Sequence, residues 1–273
     1  MATRDAPPAL PGTEAELRAL TGWEAAKELQ RFKRKLPAAL YRQLILDRAI
    51  TGILERARRM VRHTARPTRA VGAVWPSPGE FDVERTVDEW RSAELHVTRV
   101  EPREVDVVAV LDMSLSMTGE KIALIALATA ILRMKLEHVA VIAFDTHAHR
   151  LVRAGENVTL RELVRRVLEV PAQGYTNIEE GLTVAARELA LCRRRERVGI
   201  LFTDGCANVG GDPVPIAGRF PRLHVVHLGH HNPQGARTCQ AMAAAGRGRV
   251  LRALTYQDLP DVVRSAVQQL FRT

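Results

Sequence analysis

The chain has 273 residues, 46% hydrophobic and 26% charged, with a formal net charge of +9. These values are typical of an ordinary soluble globular protein with one full α/β domain and a smaller appended region. The longest apolar stretch, about residues 122–132, is too short to span a bilayer, and the N-terminus has no apolar signal core. We therefore expect no membrane association and a cytoplasmic location. Cys192, Cys206 and Cys239 lack CxxC spacing, which argues against a disulfide framework and a zinc ribbon.

The positive charge is concentrated near the N-terminus. Residues 17–72 contain 14 Lys and Arg against 4 Asp and Glu, whereas residues 73–100 contain 3 against 6. A basic block of this kind can attract an acidic protein face or a nucleic acid backbone. The simpler interpretation is a solvated, Arg-rich helix face.

Residues 1–100 are predicted to form a basic, mainly helical region. Residues 13–36 are helical in pattern, and Pro37 is well placed as the first residue of a second, long helix. Apolar residues recur at spacings of three and four in this second helix, so one of its faces needs a partner. The Pro and Gly residues of 66–80 predict an irregular connector, and the acidic segment 81–90 that follows is compatible with a short helix.

Residues 101–273 alternate between strand and helix patterns. The predicted strands are 105–111, 138–144, 149–152, 198–202, 223–228 and 249–254, and the predicted helices are 121–135, 160–168, 178–194, about 235–245 and one from 257. This alternation predicts an α/β fold with a doubly wound, mostly parallel sheet flanked by helices. We expect the strand order 3-2-1-4-5-6 that is common in doubly wound sheets, with an antiparallel edge strand. The phosphate-binding glycine motifs are absent, so we expect no bound nucleotide.

Oxygen-bearing side chains follow two of the predicted strands and precede one helix. Asp112, Ser114 and Ser116 directly follow the apolar run 105–111, Thr176 stands before the helix that starts at 178, and Asp204 follows the strand 198–202. Ligands of parallel sheets bind beyond the carboxyl ends of the strands, and the strands ending at Asp112 and Asp204 flank the switch point. We therefore expect these residues to form one oxygen-rich cup that suits a hard cation.

This DxSxS motif with a distant Thr and a distant Asp resembles the metal-ion-dependent adhesion site (MIDAS) of the von Willebrand factor A (VWA) domain family, over about residues 101–273. The resemblance implies that Ser114 and Ser116 bind the ion directly, that Thr176 binds directly or through water, and that Asp112 and Asp204 act largely through waters. It also implies that the ion binds an Asp or Glu of a partner protein. Mg²⁺ is the expected ion, and Mn²⁺ would suit the same ligands.

Two positions depart from the family pattern without replacing a ligand. Leu115 and Tyr175 stand where many members have glycine. They would place an apolar and an aromatic side chain at the rim of the cup, as the non-ionic part of a docking surface. Packing over the loop is an equal alternative for Tyr175.

The arrangement of a basic helical region before this domain resembles the CoxE- and NorD-type proteins that accompany MoxR-type AAA+ ATPases, and the domain also resembles that of the magnesium chelatase D subunit. The resemblance implies a Mg²⁺-dependent protein-docking module, acting as a cytoplasmic co-chaperone or adaptor in metalloenzyme maturation or metal insertion. Its partner would be the ATPase or the client metalloenzyme. The alternative is an RNA-binding protein that holds phosphate with its N-terminal helices, although only 4% of its residues are aromatic and could stack on bases.

Catalysis by this chain is not expected. A phosphatase-like use of Asp112 would need a second carboxylate two residues later, where the chain has serine, and the Gly-x-Ser-x-Gly motif of serine hydrolases is absent. Cys206 has no identifiable general base. His227, His230 and His231 follow a strand at the same edge of the sheet, which allows a second metal site or a pH-sensitive rim, but they lack the HExxH spacing and adjacent loop histidines are more often solvated.

Overall fold

The structure, a computed structural model, describes residues 19–33, 45–61, 68–102, 104–115, 119–171, 174–228 and 232–253 and the single residues 258, 262 and 265. Pro37, Ser116, His230 and His231 lie outside these residues, as does most of the predicted C-terminal helix. No helix within the described residues is both long and apolar enough to cross a membrane.

The predicted alternation of strands and helices is observed between residues 106 and 253, with an additional short helix at 214–217. In chain order the elements are α1 (Gly22–Lys33), α2 (Asp47–Val61), β1 (Thr68–Val74), β2 (Glu80–Phe81), α3 (Val83–Asp88), a 3₁₀ turn (Trp90–Ser92), β3 (His96–Pro102), β4 (Asp106–Asp112), α4 (Glu120–Lys135), β5 (His138–Phe144), β6 (Ala148–Val152), α5 (Leu160–Glu169), α6 (Ile178–Ala190), β7 (Arg197–Thr203), α7 (Val214–Ala217), β8 (Leu223–Leu228), α8 (Pro233–Ala245) and β9 (Val250–Ala253).

The larger sheet has the order β6-β5-β4-β7-β8-β9. Strands β4, β5, β7, β8 and β9 are parallel, and β6 is antiparallel to β5 at one edge. Numbered within this sheet, the order is 3-2-1-4-5-6, so the predicted fold class is confirmed. Every residue of β4 is buried because helices cover both faces of the sheet, which explains why its sequence shows no polar alternation.

Helix α4 lies between the sheet and the two N-terminal helices. Its residues from Ile122 to Leu132 are all buried, as expected for a helix that is apolar on every side. Buried residues of α1 and α2, including Leu29 and Ile53, belong to the same core cluster as α4. At Gly22 and Gly52 the two helices approach so closely that a Cβ on Gly22 would lie 2.6 Å from the Gly52 Cα. The sequence predicted that the apolar face of the second helix needs a partner, and in the structure that partner is α4.

A small antiparallel sheet, in the order β1-β3-β2, precedes the larger one. We call residues 68–102, which form this sheet and α3, the small lobe. The prediction of an irregular connector over 66–80 is wrong for 68–74, because these residues form β1 and pair with β3 over their full length. The acidic segment does contain a short helix, α3, capped by Asp82. The predicted domain boundary, between residues 100 and 101, falls within β3.

Candidate metal centre

Asp112, Ser114 and Asp204 lie at the carboxyl ends of the neighbouring strands β4 and β7, and Thr176 is bonded to the loop that follows β7. Strands β4 and β7 are neighbours whose parallel register runs up to the pair Leu111 and Phe202, so the residues that follow lie side by side. The exposed fractions are 0% for Asp112, 1% for Ser114, 3% for Thr176 and 8% for Asp204. Four of the five predicted ligands are therefore buried in this region, and Ser116 is outside the described residues.

Both carboxylate oxygens of Asp112 accept hydrogen bonds. The Ser114 backbone N–H donates to Oδ1 at 3.1 Å, and the Thr203 hydroxyl donates to Oδ2 at 2.6 Å. Burial raises the pKa of Asp112 to about 6, against the lowering effect of hydrogen bonds from Thr203 and Ser114, and the charge of Asp204 raises it further. A cation between the two carboxylates would favour the charged form of both.

Lys121 supplies a positive charge to the Asp204 side of the cup. Its Nζ lies 3.3 Å from the Asp204 Oδ2, and both side chains are mostly shielded from solvent. The other oxygen, Oδ1, accepts the Cys206 backbone N–H at 3.1 Å. The orientation of the Asp204 carboxylate is therefore determined from two sides, by a cation on α4 and by the turn that follows β7.

Thr176 is positioned by its backbone. Its N–H donates to the Asn208 Oδ1 at 2.7 Å, and its carbonyl accepts the Asn208 N–H at 3.1 Å. The loop reaches this position through Gly174, which has φ +101° and would place a Cβ within 2.9 Å of side-chain atoms of Thr146 and Asp145. The loop that carries Thr176 therefore needs glycine at position 174.

The donor set fits a hard cation. The described oxygens comprise two carboxylates and the hydroxyls of Ser114 and Thr176, and the described residues contain no group of three or more His, Cys, Asp or Glu that could hold a metal. The set therefore combines two carboxylates, whose oxygens already accept hydrogen bonds from protein donors, with two neutral hydroxyls. Oxygen ligands of this kind suit Mg²⁺ and Mn²⁺.

The rim of the cup carries exposed apolar surface. Leu115 is 56% exposed and Tyr175 is 62% exposed. Tyr175 therefore points to solvent, which favours the rim interpretation over packing. Next to the cup, Gly205 and Cys206 line one wall of a cavity of about 510 Å³ whose other wall is formed by α8.

The other sequence candidates do not form a second site within the described residues. His227 is buried in β8, while His230 and His231 fall outside the described residues. Burial raises the pKa of the Cys206 thiol, which disfavours a reactive thiolate, and all three cysteines are free.

Three residues of the cup were not found from the sequence: Thr203, Lys121 and Asn208. Thr203 carried a usable signal, since it is a hydroxyl residue at the end of a buried strand, one position before a predicted ligand. Lys121 and Asn208 carried none, because Lys121 lies 83 residues from Asp204 and Asn208 lies 32 residues from Thr176. Only the packing of α4 and of the loop after β7 brings them to the cup.

The sequence around the cup matches the model of a known protein family. The model of the von Willebrand factor type A domain matches residues 107–207, which include the five predicted ligands. No curated protein matches the chain.

Several solved structures share the fold at low sequence identity. Proximal thread matrix protein 1 from the mussel byssus, described with a zinc-occupied MIDAS motif, has a TM-score of 0.51 and 15% identity, over 60% of this chain and 47% of its own. A von Willebrand factor type A protein from Catenulispora acidiphila has a TM-score of 0.52 and 18% identity, over 76% and 47%. BatB from Bacteroides thetaiotaomicron has a TM-score of 0.50 and 18% identity, over 63% and 100%.

The chain spans about half the length of the mussel and Catenulispora proteins. At these identities the likeness concerns the fold alone. The family model, which covers the residues around the cup, agrees with this fold. Residues 107–207 therefore lie in a von Willebrand factor type A domain.

Proposed function

We propose that this chain is a protein-docking module that depends on a divalent cation. The ion is held by the hydroxyls of Ser114, Ser116 and Thr176, with Asp112 and Asp204 acting through waters, and it binds an Asp or Glu side chain of a partner protein. The observation that carries this proposal is the burial of two carboxylates and one hydroxyl at the carboxyl ends of β4 and β7, with the buried Thr176 bonded to the loop that follows β7.

The hydrogen bonds of the cup explain why an ion held there would recruit a further carboxylate. The Asp112 oxygens are engaged by Ser114 and Thr203, and an Asp204 oxygen is close to Lys121. Direct ligands would thus be mainly neutral hydroxyls and waters, so the ion keeps much of its positive charge. An external carboxylate that replaces one water completes the coordination at low cost.

The rim gives such a partner a second kind of contact. Leu115 and Tyr175 are the exposed apolar side chains beside the cup, and together they offer an aliphatic and an aromatic surface. A partner that places a carboxylate on the ion would bury these side chains at the same time. Central, well-packed apolar contacts of this kind supply much of the affinity of protein interfaces.

The proposal extends to the cellular role that the sequence resemblance implies. We propose a cytoplasmic adaptor, without catalytic activity of its own, that works with a MoxR-type AAA+ ATPase in the maturation of a metalloenzyme. The packing of α1 and α2 on α4 supports this reading, since it makes the basic helices part of the same body as the VWA domain. In this proposal the ATPase and the client bind two different faces of the same body.

Calorimetric titration with Mg²⁺, Mn²⁺ and Zn²⁺ tests the ion site. Ser114→Ala and Thr176→Ala should weaken binding at least about tenfold, because each removes a direct ligand. Thr129→Val is the control, since Thr129 is equally buried but bonds only to the Ile125 carbonyl of its own helix. Unchanged ion binding in both cup variants would refute the site.

Affinity capture from lysate, with Mg²⁺ or with EDTA, tests the docking role. An AAA+ ATPase or its client should be retained by the parent protein in Mg²⁺ and lost with EDTA or with Asp112→Ala. The exposed rim variant Tyr175→Ser should weaken the same capture while leaving ion binding intact. The docking role would be contradicted if RNA were retained instead, or if the same partner were retained equally with Mg²⁺ and with EDTA. Either result would leave the ion site itself untouched, because the titration tests that site separately.

A further inference from the structure

Lys121 adds a positive charge to the cup. Its Nζ lies 3.3 Å from the Asp204 Oδ2, and the exposed fractions are 26% for the Lys121 side chain and 12% for the Asp204 side chain. Within the described part of the chain, no other Lys or Arg forms an ion pair with Asp112 or Asp204. The ammonium group of Lys121 is therefore the cation that stands closest to the two carboxylates among these residues.

The position of Lys121 is not explained by the stability of its helix. Lys121 is the second residue of α4, directly after Glu120. The N-terminus of a helix favours negative charge, so a lysine at this place opposes the helix dipole. A largely shielded ion pair also adds little stability, because both groups lose contact with water. An effect on the cup accounts for the charge of Lys121 better than an effect on the fold does.

The formal charges of the cup show what this effect is. Asp112 and Asp204 bring two negative charges and Lys121 brings one positive charge. A divalent ion in the cup therefore leaves a net charge of one positive, which one external carboxylate neutralises. Without Lys121 the ion-loaded cup would already be neutral, and a bound carboxylate would give it a net negative charge.

We propose that Lys121 selects the ligand of the ion-loaded cup. It weakens the binding of the ion, because like charges repel, and it gives the loaded cup the positive charge that favours an anionic carboxylate over a neutral oxygen ligand. This inference rests on the proposed function, since it needs the ion in the cup. If Lys121 served only to orient the Asp204 carboxylate, its loss would weaken ion binding instead. The direction of the change therefore separates the two roles.

Other charges near the cup do not alter a comparison between Lys121 variants. Glu120 pairs with Lys27 at 3.8 Å, and the exposed fractions of these two side chains are 40% and 36%. The Asp145 Oδ1 accepts the His147 N–H at 3.0 Å. These groups are the same in the parent and in every Lys121 variant. Lys27→Met is a matched control, because it removes an ion-paired lysine that lies outside the cup.

Calorimetric titration of the full chain with Mg²⁺ tests the effect on the ion. Lys121→Met and Lys121→Gln should each bind Mg²⁺ at least about fivefold more tightly than the parent, because a nearby positive charge is removed. Lys121→Arg, which keeps the charge, should bind Mg²⁺ less tightly than either of them. Lys27→Met should stay within about twofold of the parent, since its charge is exposed and screened. Circular dichroism and thermal unfolding establish that each variant is folded.

Acetate is the probe for the effect on the carboxylate. With Mn²⁺ in the cup and protein in excess over Mn²⁺, acetate that binds the ion is detected by the faster nuclear relaxation of its methyl protons. The dissociation constant of acetate should be at least about fivefold larger for Lys121→Met than for the parent, because the loaded cup has lost its net positive charge. Acetamide, a neutral analogue of similar shape, should not distinguish the two proteins.

Tighter ion binding together with weaker acetate binding in Lys121→Met supports the inference. Ion binding that is unchanged or weaker in both Lys121→Met and Lys121→Gln overturns it, while the proposed ion site stands. Equal acetate affinity in the parent and Lys121→Met overturns it as well. A parent chain that binds no divalent ion overturns the proposed function, and this inference with it.

Discussion

The hydroxyl of Thr203 offers the sharpest test of how the cup is organised. It donates to the Asp112 Oδ2 at 2.6 Å and accepts the Gly205 N–H at 3.0 Å, and it is completely buried. Thr203→Val keeps the shape of the side chain but removes both bonds. A bond to a charged group contributes roughly 1.5–3 kcal/mol, and an unsatisfied buried N–H costs about 1 kcal/mol or more. We therefore expect a loss of about 3 kcal/mol in the free energy of unfolding.

Ion binding should suffer as well, because Asp112 loses the contact that determines its orientation. Urea denaturation measures the stability, and calorimetric titration with Mg²⁺ should show at least about tenfold weaker binding. Thr129→Val is the matched control, since its hydroxyl bonds only to the Ile125 carbonyl at 2.8 Å and should cost about 1 kcal/mol or less. If both variants lose the same stability and neither changes ion affinity, Thr203 does not organise the cup.

Three further predictions concern the rest of the molecule. Gly174→Ala should weaken Mg²⁺ binding in the same titration, because the new Cβ would meet the side chains of Thr146 and Asp145. Gly155→Ala is the control, since Gly155 also has a positive φ but a Cβ there would contact nothing, and it should leave the Mg²⁺ affinity unchanged. Ile53→Ala should cost about 3 kcal/mol in urea denaturation, because a buried core residue is truncated where α2 meets α4. Burial lowers the pKa of His224 from 6.5 to about 4. Between these pH values the unfolded chain binds a proton that the folded chain does not. Up to about 3 kcal/mol of the free energy of unfolding is therefore lost as the pH falls from 6.5 to 4. A His224→Gln variant should lack that part of the pH dependence.

The α/β body and the predicted cup could be read from local patterns. The run 105–111 is apolar at every position because β4 is buried on both faces, and this signal needs no knowledge of the neighbours. Asp112 and Ser114 follow that run directly, so their place at the carboxyl end of a central strand was determined as soon as the strand was recognised. The regular alternation of strands and helices predicted a parallel sheet, whereas the order 3-2-1-4-5-6 was expected only because it is common in doubly wound sheets.

The small lobe could not be read in this way. Residues 68–74 contain a glycine and lie between Pro67 and Pro76, so their composition favoured an irregular connector. β1 forms because β3, more than 20 residues later in the chain, pairs with all of it. Strand pairing depends on a partner that is distant in sequence, and a short strand on its own leaves no periodic signal strong enough to outweigh proline and glycine.

The amino-acid sequence by itself therefore indicated the core strands, most of the helices and the oxygen-bearing residues at the strand ends, because burial and helical periodicity are encoded residue by residue. Only the tertiary structure decided which groups hold those ligands in place. Lys121 faces Asp204 because α4 packs on the sheet, and Thr203 reaches Asp112 because β4 and β7 are neighbours. It also decided that α1 and α2 cover α4, since an amphipathic face shows that a helix needs a partner without showing which surface it will bury.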